Sequence, residues 1–323
     1  MQEIVVLGAG IAGLHLIEQI RKKEPSCRIT LIDKNFYSFD KMQLLEHLSI
    51  KNWIDTSMWA QTQNVEFIQE SVERLSLRRR KIYFKERESL SFERLIVATG
   101  LTSKRIAIKG EHRQGFFYLS QIDPFQIKDM LRIYEEATVY ASTILGIKLA
   151  LAIRALGKEV RVVGPMWGFL GEAKESVVSF LNERGIPTYL NAQIDEAIGE
   201  GTVKATKISP LKVFSSQFLF VDSGFVPNST FIEEEVQLKD VFFTEYEGVF
   251  FLGDVTRRDI ENEFFFVSNY AEAKSQASLF ADYIVEEKFP RFERKSHGHE
   301  DLQKAVDGIL QMRDYSDERM RFT

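Results

Sequence analysis

Residues 4–13 read Ile-Val-Val-Leu-Gly-Ala-Gly-Ile-Ala-Gly, an apolar run that leads into three glycines, Gly8, Gly10 and Gly13. The run at residues 4–7 predicts a strand that is buried on both faces. Gly8 permits a tight turn, Gly10 lets the backbone approach a pyrophosphate, and Gly13 allows the next helix to pack closely on the strand. That helix would present its N–H groups and the positive end of its dipole to phosphates, so the pattern predicts a dinucleotide-binding site.

The residues after the glycines complete a strand–helix–strand unit. Apolar side chains at Leu14, Ile17 and Ile20 follow helical spacing, and residues 28–32 return to a strand. Asp33 ends this second strand, where a carboxylate can accept hydrogen bonds from a ribose. A glycine-rich turn that serves only packing is the alternative, and the strand, the helix and the acidic residue around the turn favour the dinucleotide.

Strands and helices alternate over most of the chain, which indicates an α/β architecture. We expect a meander of strands at residues 65–68, 82–84 and 95–98. The basic run at residues 78–81 is expected to form a solvated hairpin turn between the first two of these strands, with docking of an acidic partner as the alternative.

A second strand–helix–strand unit is expected between residues 138 and 163, with Gly157 in the C-cap position of its helix. The apolar runs at residues 218–221 and 249–252 predict two further buried strands. A long helix is expected to follow at residues 269–287.

The composition is that of an ordinary globular protein. With 323 residues, of which 44% are hydrophobic and 28% charged, the chain is long enough for roughly two domains. Its formal net charge of −5 gives no reason to expect attraction to nucleic acid or to anionic membranes. No apolar run approaches the roughly 20 residues of a membrane helix, and no basic segment typical of a signal peptide precedes the first strand.

Cys27 is the only cysteine of the chain. A single thiol excludes an internal disulfide, whether structural or redox-active. Because Cys27 precedes an apolar strand, we expect its side chain to be half-buried. A cytoplasmic location is the default that follows from this cysteine usage.

Five segments occur in an order that is typical of one superfamily. They are residues 8–13, Asp33, residues 98–100 (Ala-Thr-Gly), residues 224–228 (Gly-Phe-Val-Pro-Asn) and residues 253–254 (Gly-Asp). In this order the chain resembles the FAD-dependent pyridine nucleotide-disulfide oxidoreductase superfamily. Within it, the chain is most similar to the NADH:rubredoxin reductases and to the FAD–NAD module of nitrite reductases.

The resemblance implies an α/β fold with two Rossmann-like dinucleotide-binding domains, the second inserted in the first. Residues 1–108 and 243–290 would form the FAD-binding domain, and residues 109–242 an NAD(P)-binding-like domain. The charged tail at residues 291–323 would stand in place of the family's C-terminal dimerisation domain, so a monomer or a subunit of a hetero-complex is expected. Within this tail, the amphipathic segment at residues 302–312 predicts a last helix that either packs on the fold or mediates association.

The same resemblance assigns a cofactor site. Thr99 and Gly100 would lie beside the FAD, and Asp254 would accept hydrogen bonds from its ribityl hydroxyls. Lys41 would reach phosphate or adenine, unless it is simply solvated, and Lys274 would approach the flavin ring. The expected cofactor-binding residues are Gly8, Gly10, Ala12, Gly13, Asp33, Lys34, Lys41, Thr99, Gly100, Gly253, Asp254 and Lys274.

The second dinucleotide motif departs from the family pattern. Ala141 and Thr143 stand where its first two glycines belong, and only the packing glycine, Gly146, is present. Gly164 stands at the position that is usually acidic and binds a ribose. NAD(P)H binding at this motif is therefore an open question.

The absence of a cysteine pair means that electrons would pass directly between flavin and partner. We expect an FAD-dependent oxidoreductase that passes electrons between NAD(P)H and a small redox protein such as rubredoxin or ferredoxin, or a partner subunit. The alternative is an FAD-binding electron-transfer or assembly subunit that has lost nicotinamide binding. A third hypothesis keeps FAD as a structural support of an interaction module. No general acid or base stands out, so no catalytic residue is assigned.

No metal site is expected. The histidines are scattered, and His297 and His299 lack acidic or cysteine partners at ligand spacing, which favours a flexible tail. Residues 264–266 (Phe-Phe-Phe) precede the long helix. Core packing, a shield for the flavin ring and an apolar docking patch are the interpretations open for them.

Overall fold

The computed structural model describes residues 3–40, 44, 48, 53–210, 212–257, 270–292 and 299–311. The strands of these residues are β1 (Glu3–Leu7), β2 (Arg28–Asp33), β3 (Tyr37–Phe39), β4 (Trp53–Asp55), β5 (Glu66–Gln69), β6 (Val72–Ser76), β7 (Lys81–Phe84), β8 (Leu90–Ser91), β9 (Arg94–Val97), β10 (Leu101–Ser103), β11 (Phe116–Tyr118), β12 (Glu136–Ala141), β13 (Glu159–Val163), β14 (Thr188–Tyr189), β15 (Gln193–Ile198), β16 (Ala205–Ser209), β17 (Lys212–Ser215), β18 (Phe218–Asp222), β19 (Phe225–Pro227) and β20 (Val249–Phe251). The α-helices are α1 (Ile11–Lys23), α2 (Thr56–Thr62), α3 (Pro124–Ile133), α4 (Ile144–Ala155), α5 (Lys174–Glu183), α6 (Tyr270–Glu286) and α7 (His299–Leu310).

The first five-stranded sheet has the order β20-β9-β1-β2-β5, and all of its pairings are parallel. Strand β1 lies at its centre, and residues 4–7 are buried, as the apolar run predicts. Helix α1 connects β1 to β2. Because parallel strands end on one edge of a sheet, the turns that follow β1, β2, β9 and β20 meet at the same edge.

Each face of this sheet has its own apolar core. On one face, Ile17 of α1 and Phe280 of α6 belong to the same buried cluster, in which the two helices pack together. On the other face, Leu95 of β9 is buried with Leu75 and Ile82 of the antiparallel sheet β6-β7-β8. Burial of both faces explains why β1 and β9 are apolar at nearly every position rather than at alternate ones.

The structure corrects the expected meander. Strands β5 and β9 belong to the first parallel sheet, where they pair with β2 and β1, whereas β7 pairs with β6 and β8 in a separate antiparallel sheet. The apolar runs predict the strands correctly, but partners that are distant along the chain decide the pairing. The basic run does occupy the turn that leads from β6 into β7, where Arg80 donates hydrogen bonds to two backbone carbonyl oxygens.

The second five-stranded sheet has the order β11-β18-β12-β13-β14, again with parallel pairings throughout. Helix α4 connects β12 to β13, so the strand–helix–strand unit expected between residues 138 and 163 is present. Gly157 follows α4 with a φ of +79°, as expected of a glycine that ends a helix. Side chains of this sheet pack with α4 in one buried apolar cluster and with the antiparallel strands β15 and β16 in another.

Strands β10 and β19 form a short antiparallel pair that joins the two segments by which the chain leaves the two parallel sheets. Strand β10 comes soon after β9 of the first sheet, and β19 soon after β18 of the second. The pairing sets Leu101 opposite Pro227 and Ser103 opposite Phe225. It therefore holds residues 98–100 close to residues 224–228, two segments that the sequence singled out.

The last helix, α7, packs on the fold. Val306 and Ile309 are buried in the same apolar cluster as Val177 of α5. Of the two roles considered for the amphipathic segment, packing is therefore the one that the structure supports, and its hydrophobic face is covered by the helices beside the second sheet.

The chain thus has a mixed α/β architecture built on parallel sheets. Within the described ranges, no helix combines the length and the apolar character that crossing a membrane requires.

Candidate functional site

The glycine turn between β1 and α1 has the close contacts that its sequence predicts. A Cβ at Gly13 would lie 2.1 Å from the Gly8 carbonyl oxygen, and one at Gly8 would lie 2.4 Å from the Ala98 carbonyl oxygen. Gly8 also has a φ of +114°, which residues with a side chain rarely adopt. A Cβ at Gly10 would have no neighbour within 4 Å. The turn is therefore tightly packed at Gly8 and Gly13 and open at Gly10.

Helix α1 begins at the open position. Gly10 is its N-cap residue, and no side chain among the described residues caps this helix end by a hydrogen bond. The first N–H groups of a helix have no partner within the helix, and they carry the positive end of the helix dipole. An uncapped end beside an open glycine is suited to a phosphate group.

Asp33 lies beside this turn at the end of β2. Its Oδ2 accepts a hydrogen bond from the Ala9 N–H at 2.8 Å, and its Oδ1 accepts one from the Asn35 N–H at 2.9 Å. A carboxylate offers about four acceptor positions, so two remain for hydroxyl donors. The carboxylate thus shapes the turn and still has the capacity expected of a ribose ligand.

Thr99 and Gly100 form a junction with Asn228. The Thr99 hydroxyl donates to the Asn228 carbonyl oxygen at 2.7 Å, and the Asn228 N–H donates to the Gly100 carbonyl oxygen at 2.9 Å. Gly100 has a φ of +66°, which a glycine tolerates at no steric cost. These bonds join the end of the first sheet to the segment that returns from the second.

Gly253 and Asp254 approach the glycine turn from the end of β20. Gly253 has a φ of +79°, and a Cβ there would lie 3.0 Å from the Cβ of Ala12. Asp254 forms an ion pair with the buried Arg257 at 3.0 Å, and Arg257 lies 3.7 Å from Glu272 of α6. The Asp254 carboxylate therefore has a fixed counter-charge on the protein side.

These segments surround one cleft with a volume of about 470 Å³. Of the residues predicted to bind the cofactor, nine line it: Gly8, Gly10, Ala12, Asp33, Lys34, Thr99, Gly100, Gly253 and Asp254. Segments that are far apart in the chain thus meet at the carboxyl edge of the first sheet, as the resemblance implies.

The other three predicted residues have different positions. Gly13 lies against Gly8, where it allows α1 to pack, and does not line the cleft. Lys274 is absent from the cleft lining as well; its ammonium lies 4.5 Å from the centre of the Tyr270 ring. Lys41 is outside the described residues.

Sequence reasoning missed several lining residues. Tyr37 and Phe39 belong to β3, the strand that comes after Asp33, and both line the cleft. Glu70 also lines it and follows β5 at the same edge of the sheet. Burial and a hydrogen bond to Asp123 raise the pKa of the Tyr37 hydroxyl, which therefore stays protonated. The aromatic residues Phe36, Tyr37 and Phe39 were the available signal for β3, whereas Glu70 was obscured by the incorrect meander.

The corresponding turn of the second sheet, between β12 and α4, contains a buried carboxylate. Oδ2 of Asp222 accepts hydrogen bonds from the Thr143 N–H (2.9 Å), the Thr143 hydroxyl (2.8 Å) and the Gly146 N–H (3.0 Å). The residue is only 1% exposed. Burial raises the pKa of Asp222, and the hydrogen bonds from Thr143, Gly146 and Gly224 oppose that shift. The residue was not recognised in the sequence.

Gly164 at the end of β13 is explained by Trp167. The indole of Trp167 is fully buried, and its Nε1–H donates to the Ala141 carbonyl oxygen at 2.8 Å. A Cβ at Gly164 would lie 2.9 Å from this Nε1 and 2.5 Å from the Ala141 oxygen. The space that an acidic ribose ligand would need at position 164 is therefore filled by the protein itself.

No group of three or more metal-ligating side chains occurs among the residues that the structure describes. His297 lies outside those residues. His15 of α1 has its pKa lowered by burial, against the opposing charge of Glu18. It contacts Ser278 and Gln19 rather than the cleft.

In α/β proteins that bind dinucleotides, the strand ends of a parallel sheet surround a cleft at a glycine-rich helix start. The cleft of this chain has that arrangement. Comparison with known proteins narrows this class. The chain belongs to the pyridine nucleotide-disulphide oxidoreductase family, whose model matches residues 2–273. The family predicted from the sequence is thereby confirmed.

Three similar proteins illustrate the range of relatives. Apoptosis-inducing factor 3 of Homo sapiens is 23% identical over 272 residues, which are 78% of this chain and 45% of that protein. The ferredoxin–NAD(+) reductase component of the p-cumate 2,3-dioxygenase system of Pseudomonas putida is 21% identical over 314 residues, 90% of this chain and 76% of that one. An NAD-dependent persulfide reductase from A. fulgidus superposes with a TM-score of 0.75 at 19% identity, covering 88% of this chain and 59% of that chain.

The chain spans about half the length, 45%, of the human relative and of its mouse counterpart. The likeness to the persulfide reductase, at 19% identity, shows a common fold.

Proposed function

We propose that this chain is an FAD-dependent oxidoreductase that passes electrons between NAD(P)H and a small redox protein such as rubredoxin or ferredoxin, or a partner subunit. The observation that carries the proposal is the cleft in which the glycine turn, the Thr99–Asn228 junction and Asp254 meet. The name of the relative from Pseudomonas putida, a ferredoxin–NAD(+) reductase component, supports the choice of partners.

The proposal divides the chain into two dinucleotide-binding domains of the Rossmann type. Residues 1–108 and 243–290 form the FAD-binding domain, and the inserted residues 109–242 form the NAD(P)-binding-like domain. The two separate parallel sheets support this division, since each carries its own strand–helix–strand unit. The last helix α7 in the tail at residues 291–323 packs with the inserted part.

The cleft at the carboxyl edge of the first sheet has features that suit FAD. The uncapped N-terminus of α1 and the open position at Gly10 suit a pyrophosphate. Asp33 offers acceptors for a ribose, and Asp254 offers a carboxylate for ribityl hydroxyls at the other side of the turn. Lys34 is exposed at the rim, where its charge favours an anionic ligand. The protein's part is to bind and orient the cofactor, and bound FAD supplies the acceptance of two electrons and their release one at a time.

Electrons take a direct route between cofactor and partner in this proposal. Cys27, the only cysteine, is a half-buried thiol before β2, and burial raises its pKa. A thiol with a raised pKa is a poor nucleophile and has no second cysteine with which to form a disulfide. This cysteine usage also supports a cytoplasmic location as part of the proposal.

A second candidate function is an FAD-binding electron-transfer or assembly subunit that has lost nicotinamide binding. One observation favours it: the carboxylate of Asp222 accepts hydrogen bonds from the N–H groups of Thr143 and Gly146 at the start of α4. In this version a reduced partner, not a nucleotide, would be the electron donor.

The absorbance spectrum of the purified protein tests the proposal and separates the two candidates. We expect the visible band of oxidised flavin, and we expect millimolar NADH or NADPH to bleach it in the absence of oxygen. Dithionite serves as the control that the flavin can be reduced. A protein without flavin would refute both candidates. A flavin that is bleached by dithionite and by a reduced ferredoxin, but by neither nucleotide, would favour the second candidate.

A further inference from the structure

The two helix starts at the carboxyl edges of the parallel sheets differ in what occupies them. At α1, the N-cap residue is Gly10 and no side chain among the described residues caps the end by a hydrogen bond. At α4, the N-cap residue is Thr143, whose hydroxyl accepts a hydrogen bond from the Leu145 N–H at 3.2 Å. The carboxylate of Asp222 then completes the second end. One start is open, and the other is filled by the protein.

Asp222 binds N–H donors at the start of α4, the helix end that a bound pyrophosphate would face. Backbone N–H groups at a helix start are the usual ligands of a phosphate in this type of turn. Here the N–H groups of Thr143 and Gly146 and the Thr143 hydroxyl all point to one oxygen, Oδ2 of Asp222. A nucleotide would have to compete with the Asp222 carboxyl group for these hydrogen bonds.

The carboxylate of Asp222 is also held closely against the turn. A Cβ at Gly146 would lie 2.8 Å from Oδ2 of Asp222, so the carboxylate packs directly against the glycine of the turn. Asp222 is held there from its own backbone, because its carbonyl oxygen accepts a hydrogen bond from the Ser142 N–H at 2.9 Å. Hydrogen bonds to both its side chain and its backbone therefore keep Asp222 in place at the start of α4.

We propose that Asp222 occupies the pyrophosphate position of the second dinucleotide turn and thereby keeps the affinity of the chain for nicotinamide nucleotides low. Asp222 thus sets the nucleotide affinity of the proposed oxidoreductase, and the inference rests on that proposed function. Position 164 adds a second consequence. With the Gly164 space filled by Trp167, no side chain there distinguishes a ribose hydroxyl from a 2′-phosphate.

Titration of the oxidised, FAD-containing protein with NAD⁺ and with NADP⁺ in a calorimeter tests the inference. An oxidised nucleotide cannot reduce an oxidised flavin, so binding is measured without electron transfer. Because Asp222→Ala frees these N–H donors for a ligand, it is expected to bind both nucleotides at least about tenfold more tightly than the wild type. Asp222→Asn, which keeps the shape and an acceptor oxygen, is expected to show a smaller gain.

Asp195→Asn is the matched control, since Asp195 is a half-buried carboxylate of β15 that accepts a hydrogen bond from Ser209 of β16, which is not part of the turn. We expect it to bind nucleotides as the wild type does. Equal or weaker binding by both Asp222 variants, or no binding by any protein, would overturn the inference. If Asp222→Ala fails to fold, Asp222→Asn alone decides. Loss of FAD from the wild type would instead refute the proposed function, so the two failures are distinguishable.

Discussion

Replacement of Gly13 by alanine is expected to destabilise the protein by about 3 kcal/mol, at the upper end of the cost of overpacking a well-packed core. The added Cβ would lie 2.1 Å from the Gly8 carbonyl oxygen, and a backbone atom cannot move away as the end of a flexible side chain can. Relief requires a shift of α1 away from β1, at the centre of the first sheet. Denaturant unfolding followed by circular dichroism measures the change as a lower midpoint.

Gly308→Ala is the matched control for this substitution. Gly308 also lies inside a helix, α7, but it is exposed, and a Cβ there would have no neighbour within 4 Å. Alanine is the better helix former by about 0.8–1 kcal/mol, so this variant should be slightly more stable than the wild type. A Gly13→Ala protein with an unchanged midpoint would show that the packing of α1 on β1 is not as close as described.

Gly10→Ala is expected to have the opposite profile, with a stable fold and weak cofactor binding. The backbone of Gly10 has a φ of −78°, which alanine adopts readily, and the new Cβ would meet no protein atom within 4 Å. The same Cβ would project into the cleft at the point where the backbone must approach a pyrophosphate. We expect the affinity for FAD to fall at least about tenfold, which corresponds to 1.4 kcal/mol.

Two measurements on Gly10→Ala separate fold from function. The unfolding midpoint of the FAD-free protein should match that of the FAD-free wild type, and titration of both with FAD should show the loss of affinity. Gly308→Ala again serves as the control and should bind FAD normally. Wild-type FAD affinity in a folded Gly10→Ala protein would place the pyrophosphate elsewhere and would remove the basis of the proposed function.

The first glycine turn could be predicted from the sequence because its geometry is local. Residues 4–13 contain the strand, the turn and the start of the helix, so each glycine can be assigned a role from its spacing alone. The structure has close contacts at Gly8 and Gly13 and an open position at Gly10. The meeting of Thr99, Gly100, Gly253 and Asp254 at this turn was expected only through the family resemblance, since no spacing along the chain implies it.

Strand pairing could not be predicted in the same way. The apolar run of β9 would look the same in a meander as in the centre of a parallel sheet. The position of β9 is decided by the side of β1 that β2 leaves unpaired. The residues of β1 lie about ninety positions earlier in the chain. The separate β6-β7-β8 sheet then packs over the face of β9 instead of pairing with it.

Asp222 and Trp167 were missed for a related reason. Asp222 ends an apolar strand, where an acidic residue is easily interpreted as the first residue of a turn, and its donors Thr143 and Gly146 lie far away in sequence. The altered residues of the second motif marked a departure from the family pattern. They could not reveal which side chains pack against that turn, because these come from β18 and from the segment after β13.

The order in which the chain is synthesised has a consequence for its folding. Strand β9 pairs with β20, and residues 98–248 must be synthesised between the two strands. Helix α1 likewise lacks its packing partner Phe280 until α6 has been synthesised. The core around α4 and α5 is not closed until Val306 and Ile309 have emerged. Long intervening segments make such contacts slow to form. The nascent chain therefore carries unprotected apolar strands for most of its translation, and we expect its yield in cells to depend on chaperones that bind such segments.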